Sequence, residues 1–557
     1  VMKHNKRLQH SSLWTIVLLL LTSSPLWAQE QGSDTHIYLP YISGSGKEAT
    51  ESPSDNMAVF RDATVNPVND ARREPFVPVS LRDQVYSAES GSHITIRLPQ
   101  LDTDQLRQED QRVDSEKSGQ RIGVVRSLPT TVAALRSGNL ADQWQPTSDG
   151  GHFQIITIES PTAYALRVHV SNLTLPAGAH VAVYDTNEPS ESYGPYRARD
   201  LFETTELWTE SVFGSTVTVE YYAPPGVELT EIGGFDIAQI AHIYTDPLVD
   251  LYASALSCQN DISCSSGWAN EGSAVAGLGT IGQSNVLWCS GALLNDFDDG
   301  TWEEYFLTAN HCLTGNNSDL GTQAQASTIE FYWRYQTATC NQTPPALSSI
   351  QRTGGGADLI SRQTRSSGND HALLRIRNTV PGGLTFLGWD TRTPGSGEAL
   401  TGIHHPDGEH KRISFGNYDS SDSNFWYVKW YDGLTEGGSS GSPLFDKNKR
   451  LIGQLFGGDT FCPTNTSKPV DQYGRFNQTY PSIERWMLIG GTINVNSLFT
   501  GTQLGTPTNP YRLLSSAYNF SWNGSRIRLQ AGSYSGPITL SKQVTLIAQG
   551  GTVTIGQ

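Results

Sequence analysis

All six cysteines of this 557-residue chain, Cys258, Cys264, Cys289, Cys312, Cys340 and Cys462, fall within one middle region. No two form a Cys-x-x-Cys pair, so the set reads as three disulfides inside one domain rather than as a zinc site. Disulfides need an oxidising compartment, and the N-terminus supplies a route to one. Lys3, Lys6 and Arg7 precede the apolar run LWTIVLLLL at 13–21, and Ala28 offers a small residue before a cleavage point. That is the layout of an export signal over residues 1–28, with an apolar run too short to span a bilayer. No later stretch reads as a membrane span, so a secreted product is expected.

A chain of this length exceeds what one core serves, and about three domains are expected. Its net charge of −17 argues against nucleic acid as a partner, because phosphates need an excess of Lys and Arg. Residues 29–119 are polar; GSGKEATESPSDN reads as flexible and HITIRLP as one strand. From 120 to 250 the runs FQIITIE, YALRVHV, AHVAVYD and STVTVEYY alternate or stay apolar, with turns at LPAG and APPG, the pattern of a small β-sandwich. Residues 251–490 hold every cysteine and end in PSIERWMLIG, which reads as a helix. Beyond them, over 491–557, a linker (TGTQLGTPTNP) leads to short strands parted by glycine. These read as a short β-helix-like module, a candidate surface attachment unit. The fold class expected for the whole is all-β.

The stretch EGGSSGSPL at 436–444 has the composition of a flexible linker. Its flanks do not: Leu444-Phe445 and RLIGQLFGG read as core strands. A glycine-filled turn between strands is a way to aim backbone N–H groups at one point. A serine there gains an oxyanion hole, but it needs a base to become a nucleophile. YFLTANHCL places His311 at the end of an apolar strand beside Cys312. GNDHALLRI places Asp370 at the entry to another.

The order His, Asp, Ser, with LTANHC, ND-HALL and GSSGSP, resembles the trypsin-like serine proteases. More narrowly, SCQNDISC, CSGALL, YFLTANHC, FYWRYQ, GWD, IHHPDGEHKRIS, TEGGSSGSPLFD, GQLFGG and DQYGR make residues 251–490 similar to the bacterial lysyl endopeptidase branch. The resemblance implies a chymotrypsin-like double β-barrel with the sandwich before it as a pro-domain. It implies Ser440 as nucleophile, His311 as general base and acid, and Asp370 as the carboxylate that orients the imidazole. The N–H groups of Gly438 and Ser440 would form the oxyanion hole. Asn310 departs from the alanine usual before the histidine, a change expected to be tolerated. The implied disulfides are Cys258–Cys462, Cys264–Cys340 and Cys289–Cys312.

The same resemblance puts the acid of the specificity pocket at Asp471, since Leu434 fills the position trypsin uses. Thr435, Phe456 and Gly457 complete the expected substrate-binding set. A buried carboxylate calls for a cationic partner, so substrates are expected to be proteins or peptides with a basic residue, Lys favoured, before the cleaved bond. No cofactor is expected, and the His404, His405, His410 group is not read as a metal site. Ser439 stands where trypsin carries the aspartate that receives a freed N-terminus, so activity should not depend on such an insertion. No Lys or Arg lies between Arg199 and Arg334. A basic-specific enzyme therefore could not release itself near Ala253, where the resemblance places the mature start. The molecule is expected to act as a monomer. Two alternatives stay open at this point: an inactive, protease-shaped binding or adhesion protein, and a protease of broader preference.

Overall fold

Strand formation follows the alternating runs. In the computed structural model the described residues are 59–67, 76–83, 93–112, 120–134, 144–185, 192–197, 205–228, 233–246, 248, 258–282, 284–298, 300–314, 319–459, 470–536 and 539–556. The expected export signal lies outside them. None of the described helices is long and apolar enough to cross a membrane.

The N-terminal sandwich stacks two sheets. One contains the strands His152–Glu159, Thr216–Ala223, His180–Tyr184 and Ser192–Tyr196, with His93–Arg97 added in parallel at its edge. The other contains Ala165–Thr174, Gly234–Ile243 and Gln120–Ala134. Val168, Val170, Val181, Val183, Val217, Val219, Ile237 and Ile240 interdigitate between them at 0 % exposure, as period-two alternation requires. The second sheet does not stop at the sandwich. The Gln120 strand also pairs antiparallel with Asn285–Leu293, so one sheet runs on into the cysteine-rich region.

There, two β-units face each other. The first orders Glu330–Trp333, Val275–Ile281, Asn285–Leu293, Tyr305–Ala309, His371–Ile376 and Ala357–Arg362 as antiparallel neighbours around a core of Phe306, Phe331, Trp333 and Leu374. The second closes on itself: Leu451–Gly458, Pro443–Phe445, Ala399–His404, Arg412–Ser421, Phe425–Asp432, Val470–Arg475 and back to Leu451–Gly458. Trp426, Val428, Trp430, Leu444, Leu455 and Tyr473 fill this barrel. Tyr305, Leu307, Leu373, Trp389, Ile403 and Phe445 form the seam between the two units. The architecture is the all-β double barrel expected.

The helix Phe476–Ile489 covers that seam with Phe476, Tyr480, Ile483 and Met487. It begins five residues earlier than the proline at 481 suggests. Phe476 and Tyr480 pack against Trp389 with their rings tilted, and that anchorage outweighs the bond and the fit a proline costs a helix interior. Beyond it, Thr492–Val495, Arg526–Tyr534 and Thr545–Ile555 form a three-stranded parallel sheet. Trp486 of the helix stacks on Phe520 of this module, their ring centroids 4.8 Å apart. At the other end of the chain, Phe60–Arg61 and Thr64–Val65 pair with Trp389–Asp390 and Thr385–Phe386.

Candidate active site

The strand Tyr305–Ala309 is buried throughout and ends in a single 3-10 turn, Asn310–Leu313, that carries His311. Ala309 pairs with His371, which brings Asp370 beside that turn. Asp370 adopts a φ of +57°, a conformation aspartate tolerates better than most residues. Its backbone oxygen accepts from Asn310 N at 2.9 Å, and its Oδ1 accepts from His311 N at 3.2 Å. The imidazole Nδ1 and Asp370 Oδ2 stand 2.6 Å apart. A carboxylate there accepts the Nδ1 proton and leaves the Nε2 lone pair free to take another. Asn310 is no bystander: its Oδ1 accepts from Gly321 N and its Nδ2 donates to Asp319 O, tying down the loop that follows. Cys289 and Cys312 are bonded, which joins the histidine turn to the neighbouring strand. Cys264 and Cys340 are also bonded; the expected Cys258–Cys462 bond lies outside the described residues at Cys462.

The Gly/Ser run is a buried turn. Gly438 and Gly441 have φ of +81° and +84°. A Cβ on Gly441 would run into Thr308 Oγ1 and Ser290 O and stand 2.7 Å from Ala309 N, so the turn lies hard against the strand that leads to His311. Within the turn, Ser439 N donates to Glu436 O, Gly441 N to Leu455 O and Ser442 N to Ser439 O. The N–H groups of Gly438 and Ser440 donate to no described residue, which leaves two donors for an incoming oxygen. Ser290 clamps the turn from outside, its N–H on Ser440 O at 2.8 Å and its hydroxyl on Gly438 O at 2.9 Å. Ser440 Oγ and His311 Nε2 are each buried without a hydrogen-bond partner, so no hydrogen bond joins them in this structure. Catalytic contacts of this kind often close only around substrate.

Asp471 is completely buried on Val470–Arg475. Its Oδ2 accepts from Trp430 Nε1 at 2.6 Å and from Thr435 Oγ1 at 2.5 Å. Both donors are neutral groups. Gly458 pairs with Asp471, and a Cβ there would collide with Asp471 Oδ1. Gly457 pairs with Gln472 on the same ladder. Phe456 stands edge-on to His311, ring centroids 5.7 Å apart.

The three other histidines do not converge. His404 bridges Ser439 Oγ at 2.9 Å and Ser414 Oγ at 3.0 Å. His405 donates Nδ1–H to Glu409 O and lies parallel to Tyr335, while His410 meets that ring edge-on. Burial drives His405 well below the usual imidazole range and His410 down to about 3. Asp407, under the Gly/Ser turn, is pushed well up by burial and then by Glu436 and Glu409. Its backbone N–H donates to Gly437 O at 2.6 Å. Among the described residues the one close set of three metal-capable side chains is Cys289, His311 and Cys312, and both sulfurs belong to the disulfide. The roles of Ser290 and His404 escape sequence reading, although CSGALL and IHHP contain them.

Two family models match the chain: "Lysyl endopeptidase N-terminal domain" over residues 97–244 and "Lysyl endopeptidase, C-terminal domain" over 252–474. A curated relative, "Lysyl endopeptidase" of Pseudomonas aeruginosa, is 27 % identical over 406 residues, covering 66 % of this chain and 82 % of its own length. Among solved structures, the HtrA-type protease AlgW with a tripeptide shares 17 % identity at a TM-score of 0.28; the match covers 40 % of this chain and 63 % of that one. The Rv3671c protease of M. tuberculosis in its active form shares 14 % at a TM-score of 0.27, covering 41 % and 87 %.

Proposed function

The chain belongs to the lysyl endopeptidase family of trypsin-like serine proteases, and on that premise we propose that it is a secreted endopeptidase that cleaves after lysine through an acyl-enzyme on Ser440. His311 Nε2 takes the proton of Ser440 Oγ as that oxygen attacks the carbonyl carbon before the cleaved bond. The tetrahedral oxyanion receives hydrogen bonds from the N–H groups of Gly438 and Ser440. Collapse breaks the C–N bond, and the imidazolium returns the proton to the leaving amine. Water, deprotonated by His311, then repeats the attack on the ester and restores the serine. Asp370 holds the imidazole in the tautomer this needs and stabilises its charged form.

One observation supports the preference for lysine above the rest. Thr435, five residues before Ser440 in sequence, donates to the buried Asp471 carboxylate at 2.5 Å, which links an anionic pocket floor to the turn that carries the nucleophile. An ammonium group reaching that floor offsets the cost of a buried carboxylate. Digesting a protein mixture and reading the new C-termini tests this directly. Lys should dominate them, and Asp471→Ala should lower cleavage after Lys on the order of a thousandfold; an unchanged preference in that variant would overturn the reading. A fluorophosphonate probe should label the wild type and fail on Ser440→Ala.

The sandwich is read as a pro-domain that restrains access. Gln120 opens the strand that pairs with Asn285–Leu293, and its side-chain oxygen comes within 3.0 Å of where a Cβ on Gly437 would stand. In the full chain Ser440 is wholly buried. With no Lys or Arg between Arg199 and Arg334, release near Ala253 falls to another protease. The mature enzyme is read as a monomer that the C-terminal module holds at a surface.

A further inference from the structure

Arg365 lies in the loop just before Asp370, exposed, and its position is set by aromatic rings. Its guanidinium carbon sits 4.2 Å from the centroid of the Phe456 ring and 5.9 Å from that of Phe425. The two rings pack on each other at 5.5 Å, and Phe456 in turn stands against His311. Among the described residues, the one hydrogen bond of the guanidinium runs to a neutral amide, Gln472 Oε1, at 3.3 Å. Among the described residues no carboxylate forms an ion pair with it, although Asp and Glu outnumber Lys and Arg by 55 to 38. The nearby Asp422 is already occupied by Tyr427 Oη and by the N–H groups of Asn424 and Phe425. Stacking on two rings removes much of the freedom an exposed arginine would lose on binding.

A substrate laid along Phe456–Gly458, where the strand Leu451–Gly458 runs past its pairing with Pro443–Phe445, is extended, so successive side chains point to opposite sides. If the first side chain before the cleaved bond enters the Asp471 pocket, the second and fourth turn away from it. Trp430 and Thr435 hold the Asp471 carboxylate, whereas Phe456 stands against His311, which leaves the Phe456 face and its arginine for the second and fourth. We propose that Arg365 makes the enzyme select acidic side chains at the second and fourth positions before the cleaved bond, a claim that rests on cleavage after lysine as read above. The chain contains a sequence that fits. Of its 38 lysines and arginines, Lys117 alone has acids at both places, Glu116 and Asp114. Gln120, three residues further on, stands beside the nucleophile turn.

The test is kcat/KM on a peptide with the sequence of residues 113–120 and on versions carrying Glu116→Gln or Asp114→Asn, with wild type, Arg365→Gln and Arg365→Glu. In the wild type each acid should win over its amide by about 3- to 10-fold at low salt, and less as salt rises. The ratio should fall to about one in Arg365→Gln and invert in Arg365→Glu. A ratio near one in the wild type, or one that survives in Arg365→Glu, overturns the proposal. Cleavage after Lys117 with a flat ratio would sink this inference alone; no cleavage after lysine in any peptide would sink the pocket reading beneath it. Fluorophosphonate labelling of both variants checks that their active sites are assembled.

Discussion

His311 is held by a disulfide one residue away and by a carboxylate at 2.6 Å, whereas Ser440 is held by neither a covalent link nor a charge. Its turn is shaped by two glycines with positive φ, by Ser290 from outside and by a chain of neutral hydrogen bonds behind it. The difference follows the chemistry proposed above, in which each group has its own charge to meet. The imidazole becomes a cation in each half-reaction and gains from an anion poised beside it. The serine turn must present two N–H groups to a transient negative oxygen, and a fixed carboxylate there would oppose that charge. Each half of the cleft therefore has its own mode of failure.

The largest effect should come from breaking the charged half. Asp370→Asn preserves shape but no longer fixes the Nδ1–H tautomer, and kcat should fall by about 10⁴-fold. Non-covalent binding of a product peptide ending in lysine should change far less, because the pocket and the oxyanion donors are untouched. A fall of less than tenfold in kcat would mean that the carboxylate only shapes the loop.

Breaking the nucleophile half should look different. Gly441→Ala asks an L-residue to hold a φ of +84° with its Cβ against Ser290 O and the backbone N of Ala309. Backbone atoms cannot step aside, so the chain should lose about 3 kcal/mol or more of stability, measured by urea unfolding. Activity and folding should fail together here, whereas Asp370→Asn should leave folding nearly intact.

A smaller effect tests the hydrogen-bond chain behind the turn. Ser414 Oγ donates to Leu434 O, so it accepts from His404 Nε2–H. His404 Nδ1 is then an acceptor for Ser439 Oγ–H, while Ser439 Oγ accepts from Glu436 N. A neutral imidazole satisfies every member. His404→Phe leaves two buried hydroxyls short of a partner, and kcat/KM should drop by about 10- to 100-fold as the turn loosens. His404→Gln, which can both donate and accept, should recover part of it.

The regions read well from sequence are those whose signal is local. Alternation marks the sandwich strands, and the flanks of His311, Asp370 and Ser440 mark each as a strand end or a buried turn. What escapes is the pairing of distant segments. The partnership of Gln120–Ala134 with Asn285–Leu293 has no local signature, because either strand would present the same edge to another partner. HITIRLP is legible as a strand but not as the edge of the sandwich, for the same reason. The stretch Thr492–Val495 reads as the entry to a linker, yet its pairing with Arg526–Tyr534 makes it the first rung of the C-terminal sheet. His404 is missed because two serines that sequence separates by 25 residues meet on its two nitrogens.

The finest distinction concerns a buried group and a half-buried one in the base half that titrate with opposite sign. His371 follows Asp370 and pairs with Ala309; burial lowers it to about 4. Glu304 precedes the Tyr305 strand; burial and then Glu303 raise it to about 8. Between pH 4 and 6.5 the unfolded chain binds a proton at His371 that the folded chain refuses, so this group makes stability fall as pH falls through that window. Between about pH 4.5 and 8 the folded chain holds a proton on Glu304 that the unfolded chain has lost, so this group makes stability fall as pH rises. Whole-protein unfolding mixes the two, and only differences separate them. The stability of wild type minus that of His371→Gln should be flat above pH 7 and shrink steadily towards pH 4, at up to about 1.4 kcal/mol per pH unit. Wild type minus Glu304→Gln should instead shrink from pH 5 towards pH 8. Parallel curves for the two variants would mean that neither group is buried in the ionisation state assigned to it, and the base half would then owe its rigidity to the disulfide and Asp370 alone.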